Sequence, residues 1–279
     1  MSLNEGLAGR PFVKMNGLGN AFAILDLRDG AAAMDAGSAR AVAEETGADQ
    51  VITIETRDGP FMGVWNADGS EVEACGNAAR CVAWLLAEEA GSERVAFETL
   101  AGRLRAARVG DKRVSVDMGP PKLHWQDIPL AEQMDDTRFI DVKLGPIDAP
   151  VLWGPSAVNM GNPHCIFFVE DAEGQALDRF GPMIEHHPLF PERANVSVAQ
   201  VTGRHAIRLR VWERGVGITK ACGTAACAAV VSAYRRRLTE RKAVVTLDGG
   251  DLAIEWGEDD RVRMTGPIDW EYEGVLPTP

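Results

Sequence analysis

The chain has 279 residues, a net charge of -12 at pH 7 and five cysteines. That length suits two domains, each large enough to bury a core. The negative balance argues against nucleic acid or an anionic membrane surface as a partner. No apolar run approaches the ~20 residues of a membrane-spanning helix, and the opening stretch MSLNEGLAGRPF shows no secretory pattern, so a cytoplasmic location is expected. An odd number of cysteines reads as reduced thiols rather than a disulfide framework.

In chain order, the first feature is GLGNAFAILD, residues 17–26. No βαβ pattern precedes it, so its glycines are read as a loop and not as a dinucleotide site. Next comes VWNADGSEVEACGNAARCVAW, residues 64–84. After Cys75 the spacing predicts a helix with Ala79, Val82 and Leu86 on one face and Gly91 as its stop. Alternating segments RVAFETL, GRLRAARV and RVSVDMG follow and read as strands. In the second half, NMGNPHCIFFV around Asn162 echoes the loop around Asn20, and VWERGVGITKACGTAACAAVV, residues 211–231, repeats the earlier frame. After Cys222 a helix of small and apolar residues should be buried all round, ending in three arginines that complement its C-terminus. The strands AVVTL, DLAIEW and RVRMTG close the half, with LDGGD as a hairpin turn.

The two frames are one pattern written twice. Val-Trp, eight residues, Ala-Cys-Gly, one polar residue and Ala-Ala recur 147 positions apart, and Leu100, Gly102, Gly119 and Pro120 recur at Leu247, Gly249, Gly266 and Pro267 with the same offset. A colinear series of this kind is an internal duplication. The expected fold class is α/β (α+β), with two pseudo-symmetric domains, each a curved, mostly antiparallel sheet wrapped around a central helix. The expected halves are 1–122, joined by the C-terminal segment 269–279, and 123–268.

A cysteine at a helix N-terminus meets unsatisfied N–H groups and the positive end of the dipole, which lower a thiol pKa. Gly76 and Gly223 leave room for backbone N–H groups, with those of Asn77 and Thr224, to approach a carboxylate. If the halves pack with pseudo-two-fold symmetry, Cys75 and Cys222 face one another across a cleft. One thiolate could then remove a proton from one face of a carbon while the other thiol protonates the opposite face, the chemistry of a racemase or epimerase. Cys81, Cys165 and Cys227 have no counterpart in the other half and are expected in the core. No metal is expected, because CGNAARC and CGTAAC lack the close cysteine pairs and histidines of zinc sites.

MNGLGNAF, WNADGSEVEACGNAARC, GNPHC, RANVSV and WERGVGITKACGTAACAA together resemble diaminopimelate epimerases, in order and across nearly the whole chain. The resemblance implies cofactor-independent interconversion of LL- and meso-diaminopimelate in lysine and peptidoglycan precursor biosynthesis. The partner is then a small-molecule substrate, with a homodimer as an allowed assembly. It also implies Cys75 and Cys222 as the acid and base pair, with His164 and Glu213 helping to move protons. Substrate contacts are implied for Asn20, Gln50, Asn66, Gly76, Asn77, Asn162, Asn195, Glu213, Arg214, Gly223 and Thr224. The chemistry agrees: histidine exchanges protons near neutrality, asparagines offer donors and acceptors to an amino acid, and Arg214 suits a carboxylate. Three positions depart from the family pattern: Ala21 stands where an aspartate is common, and Ala78 and Ala225 where glycines are.

Other classes use parts of the same signal. A proline or hydroxyproline racemase shares the paired cysteines but needs a smaller, more apolar pocket. A cysteine hydrolase built on Cys222 and His164 would leave Cys75 dispensable, and a non-catalytic binding protein would tolerate loss of either thiol.

Overall fold

The computed structural model describes residues 6–73, 75–146, 148 and 150–278. The first five residues of the opening stretch and Ala74 of the repeated frame lie outside the described residues. The chain divides into two compact units, Met1–Asp117 with Thr265–Pro279, and Met118–Met264.

The first unit runs β1 (Pro11–Gly17), β2 (Asn20–Asp26), α1 (Ala36–Thr46), β3 (Gln50–Thr56), β4 (Pro60–Asn66), β5 (Glu71–Val72), α2 (Gly76–Ala90), β6 (Arg94–Thr99), β7 (Gly102–Arg108) and β8 (Arg113–Asp117). The GLGN loop is the turn of a hairpin: Gly17 pairs with Asn20, and Leu18 and Gly19 both take positive φ, 60 and 80°. That backbone matches the twist of adjacent antiparallel strands. Neighbouring strands pair antiparallel except β2 with β3 and β4 with β6. The helix α2 packs against β1, β2, β6, β7 and β8, burying Ala79, Val82 and Leu86, and Gly91 ends it with φ 58°. On another face of the strands, α1 closes a core that includes Leu25, Val42 and Val51.

The second unit contains β9 (Lys143–Leu144), β10 (Leu152–Trp153), β11 (Ser156–Asn159), β12 (Pro163–Phe168), α3 (Leu177–Glu185), β13 (Asn195–Gly203), β14 (Ala206–Glu213), β15 (Gly217–Thr219), α4 (Gly223–Arg235), β16 (Lys242–Leu247) and β17 (Gly250–Trp256). The chain passes back to the first unit within β18 (Val262–Pro267), and β19 (Asp269–Val275) then pairs antiparallel with β1. The topology repeats that of the first unit. Past the separate β9–β10 pair, the parallel pairs are again the second with the third strand, β12 with β13 after β11, and the strands flanking the central helix, β14 with β16. Register repeats as well: Val51 pairs with Trp65 as Val196 pairs with Trp212, and Phe22 with Gln50 as His164 with Asn195. The central helix α4 packs against β11, β12, β13, β14, β16 and β17. Ala225, Ala226, Ala228, Ala229, Val230 and Val231 are all fully buried, because small side chains let strands close on every side. LDGGD forms the expected turn, with Leu247 paired to Gly250. The duplicated α+β architecture expected from the sequence is therefore present, although α1 and α3 were not foreseen.

Candidate active site

In the first unit the candidate residues gather at the ends of β2, β3 and β4 and the start of α2. Cys75 is the N-cap of α2, half-buried, and its sulfur accepts from the Ala78 backbone N–H at 3.5 Å. The extended backbone of Cys75, φ -136° and ψ 114°, is the ordinary N-cap geometry and turns the sulfur onto the helix's unpaired N–H groups. Asn77 is buried and its Oδ1 accepts from Arg80 Nη1 at 3.0 Å. Arg80 is fully buried and donates also to the Pro267 carbonyl. Gln50 and Asn66 are cross-strand partners, and Gln50 Nε2 donates to Asn66 Oδ1 at 2.9 Å. Asn66 Nδ2 donates in turn to Ser70 Oγ, while Gln50 Oε1 is buried without a partner among the described residues. Asn20 Nδ2 and the Ala21 N–H both donate to Asp49 Oδ2, at 3.3 and 2.8 Å. Local bonding of the GLGN loop thus runs through Asp49 and does not need a side chain at position 21.

In the second unit Cys222 occupies the same N-cap position on α4, with φ -124° and ψ 110°. Its sulfur lies 3.4 Å from Thr224 Oγ1. The thiol pKa differs from the sequence expectation: burial pushes it well above the usual range, and the Glu213 carboxylate pushes it further. For a sulfur only 5% exposed, loss of hydration outweighs the helix N-terminus. Glu213 ends β14, where Thr219 Oγ1 on the adjacent β15 donates to Glu213 Oε1. Burial raises the Glu213 pKa, opposed by hydrogen bonds from Thr219 and Cys222.

His164, on β12, is fully buried. Burial, aided by the charge of Arg214, pushes its pKa down to about 3, so the ring is neutral at pH 7, in contrast to the near-neutral exchange expected of a histidine from sequence. Its Nε2 is 2.8 Å from Asn162 Oδ1. With that oxygen accepting, Nε2 carries the proton and Nδ1 is the acceptor nitrogen, buried without a partner among the described residues. Asn195 is a strut: Nδ2 donates to the Pro163 carbonyl at 3.0 Å, and Oδ1 accepts from the Arg214 N–H at 3.0 Å. Exposed Arg214 spends one guanidinium N–H on the Glu192 carbonyl.

The structure thus links Glu213, Cys222 and Thr224 in one group, and Asn162, His164, Asn195 and Arg214 in another. Asp49, Ser70, Arg80, Thr219 and Glu185 are partners that sequence reasoning missed. Thr219 alone had a signal, since the repeat places Val72 opposite it as Asn66 is placed opposite Glu213. Cys81 and Cys165 are buried core thiols, the former pushed up to about 12, and Cys227 is buried too. Among the described residues no three His, Cys, Asp or Glu side chains cluster as metal ligands, and no helix is long and apolar enough to cross a membrane.

The family profile named diaminopimelate epimerase matches residues 12–124 and 156–271. The chain belongs to the diaminopimelate epimerase family. Every candidate residue above falls within the matched segments. A diaminopimelate epimerase of Rhodopseudomonas palustris (strain BisB18) is 52% identical over 277 residues, which cover 98% of this chain and 96% of the relative. One from Methylobacterium sp. (strain 4-46) is also 52% identical, covering 97% and 96%. A crystal structure of a hydroxyproline epimerase from Agrobacterium vitis superposes with a TM-score of 0.64, covering 99% of this chain and 92% of that one, at 13% identity. The fold of the diaminopimelate epimerase family is thus shared with an enzyme of different substrate.

Proposed function

We propose that this member of the family interconverts LL- and meso-diaminopimelate by moving a proton at one α-carbon with two thiols and no cofactor. The observation that carries the mechanism is that Cys75 and Cys222 cap equivalent helices of duplicated units. One sulfur, as thiolate, removes the α-proton from one face, and the other, as thiol, delivers a proton to the opposite face; reversing the roles runs the reaction backward. Each half supplies one thiol, 1–122 with 269–279 providing Cys75 and 123–268 providing Cys222.

Supporting roles follow from the same reading. Glu213, hydrogen-bonded to Cys222, passes protons to and from that sulfur, and His164, whose ring stays neutral at pH 7, helps to move protons with Nδ1 as its acceptor nitrogen. The helix N-termini at Gly76-Asn77 and Gly223-Thr224 direct N–H groups at the substrate carboxylate, where negative charge grows as the carbanion forms. Asn20, Gln50, Asn66, Asn162, Asn195 and Arg214 recognise the distal amino acid that does not react. A homodimer and a cytoplasmic location belong to this reading, and sedimentation of the purified protein tests the former.

Purified protein dialysed against chelator and treated with a carbonyl-trapping reagent should still convert LL-diaminopimelate to the meso form. Loss of activity that pyridoxal phosphate restores would overturn the proposal.

A further inference from the structure

We infer that Glu185, the last residue of α3, is a positioning residue for the reaction proposed above. Its carboxylate is 3% exposed, and both oxygens are engaged by the strand and turn that present Glu213 and Arg214. Oε2 accepts from the Trp212 indole N–H at 2.7 Å, and Oε1 accepts from the Gly215 backbone N–H at 2.9 Å. Arg193 Nη1 stands 3.8 Å from the same Oε1. Residues 213 and 214 are therefore bracketed by two hydrogen bonds to a single buried anion. The contact is built from both sides. Gly181, one turn earlier on α3, leaves room for the Trp212 ring, since a Cβ there would stand 2.6 Å from it. Gly215 adopts φ 75°, a conformation that favours glycine and that aims its N–H at the carboxylate.

Comparison with the duplicated unit shows what this anion adds. The equivalent turn of the first unit, after Asn66, is held from α1, but by a cation: Arg40 Nη1 donates to the Asp68 carbonyl at 2.9 Å. Trp65, which corresponds to Trp212, has a buried indole nitrogen without a partner among the described residues. Where the first turn has Asn66 and Ala67, the second has Glu213, hydrogen-bonded to Cys222, and Arg214. A carboxylate that accepts from both flanks fixes where Glu213 meets Thr219 and Cys222. Glutamine cannot replace it, because its amide NH2 would face one of the two N–H donors.

Glu185→Gln tests the role with two readouts. The first is steady-state epimerisation of LL-diaminopimelate, where displacement of Glu213 should lower kcat by about 10- to 100-fold. The Glu185→Gln, Glu213→Gln double variant should be no slower than Glu213→Gln alone, as groups acting through one another are not additive. The second needs no substrate and so stands apart from the proposed activity: iodoacetamide labelling followed by peptide mapping. Cys222 should react faster relative to Cys75 in the same molecule, by roughly threefold or more, once Glu213 no longer sits against it. An unchanged Cys222 to Cys75 ratio in a folded variant would overturn the inference, as would kcat within about twofold of the parent. A parent protein that does not epimerise would instead sink the proposed function and leave the labelling result to decide on Glu185. Should Glu185→Gln not fold, Glu185→Asp, which keeps the charge but cannot span both donors, carries the same expectations. Failure of that variant to fold as well would assign Glu185 to stability alone and contradict the inference.

Discussion

The Cys222 sulfur is buried beside the Glu213 carboxylate and the Thr224 hydroxyl, a setting that holds the proton on sulfur. Cys75 is half-buried and takes an N–H from its own helix. The two thiols are thus equivalent in the repeat and unequal in environment. On the proposed mechanism each direction uses one sulfur as base and the other as acid, so replacing either by alanine should abolish epimerisation from both LL and meso substrates; initial rates in both directions check this. Glu213→Gln should slow turnover by about 10²- to 10⁴-fold, the usual worth of a positioned proton-transfer group. His164 gives a pH signature in stability. The unfolded chain takes up a proton on this ring near its ordinary pKa of about 6.5, whereas the folded protein resists until about 3. A folded pKa below the unfolded one means a stabilising contribution that is present above pH 6.5 and lost as pH falls toward 3, by up to about 1.4 kcal/mol per pH unit. Thermal melts of His164→Gln should therefore depend less steeply on pH between 6.5 and 3 than those of the parent. A difference between the two that stays constant over that window would contradict the burial of a neutral ring.

The central helices carry the fold's burden of burial, and α4 shows how little spare volume they leave. Ala229 is fully buried within a helix that six strands pack against. Ala229→Leu should cost about 1–3 kcal/mol by overpacking, read as a lowered midpoint in denaturant with an unchanged slope. A neutral effect would mean that the strands do not close on α4 as described. These helices were legible because their signals are local: a glycine after each cysteine, small residues through the interior, and Gly91 as a stop. The same holds for the LDGGD hairpin, whose turn chemistry sits in a few residues, whereas GLGN reads from sequence only as a loop. By contrast α3 carries Gly181 and Pro182 inside a helix of nine residues, which propensity alone would disfavour. Packing of Trp212 into the gap at Gly181, and the Glu185 bonds to Trp212 and Gly215, supply the missing reasons, and all of them are tertiary. Asp49 and Arg80 were hidden for the same cause, as partners brought close by folding. The raised thiol of Cys222 and the neutral ring of His164 were misjudged because dipole and reference pKa can be read from sequence, whereas depth of burial cannot.

At the scale of the whole chain, duplication explains both the symmetry and its departures. Strand order, parallel pairs and register recur in the two units, so each presents a capped cysteine at the same point of the same frame. The two frames differ at particular positions: Asn66 corresponds to Glu213, Phe22 corresponds by register to His164, and the Trp65 nitrogen, without a partner among the described residues, corresponds to the Trp212 nitrogen held by Glu185. The central claim, that two different sulfurs handle the departing and arriving protons, is tested most directly by isotope. With LL-diaminopimelate in heavy water, the earliest meso product should carry deuterium at one α-carbon while recovered LL substrate remains largely unlabelled. Meso product that first appears with its original protium, as a single base returning the same hydrogen would give, would contradict the two-thiol account.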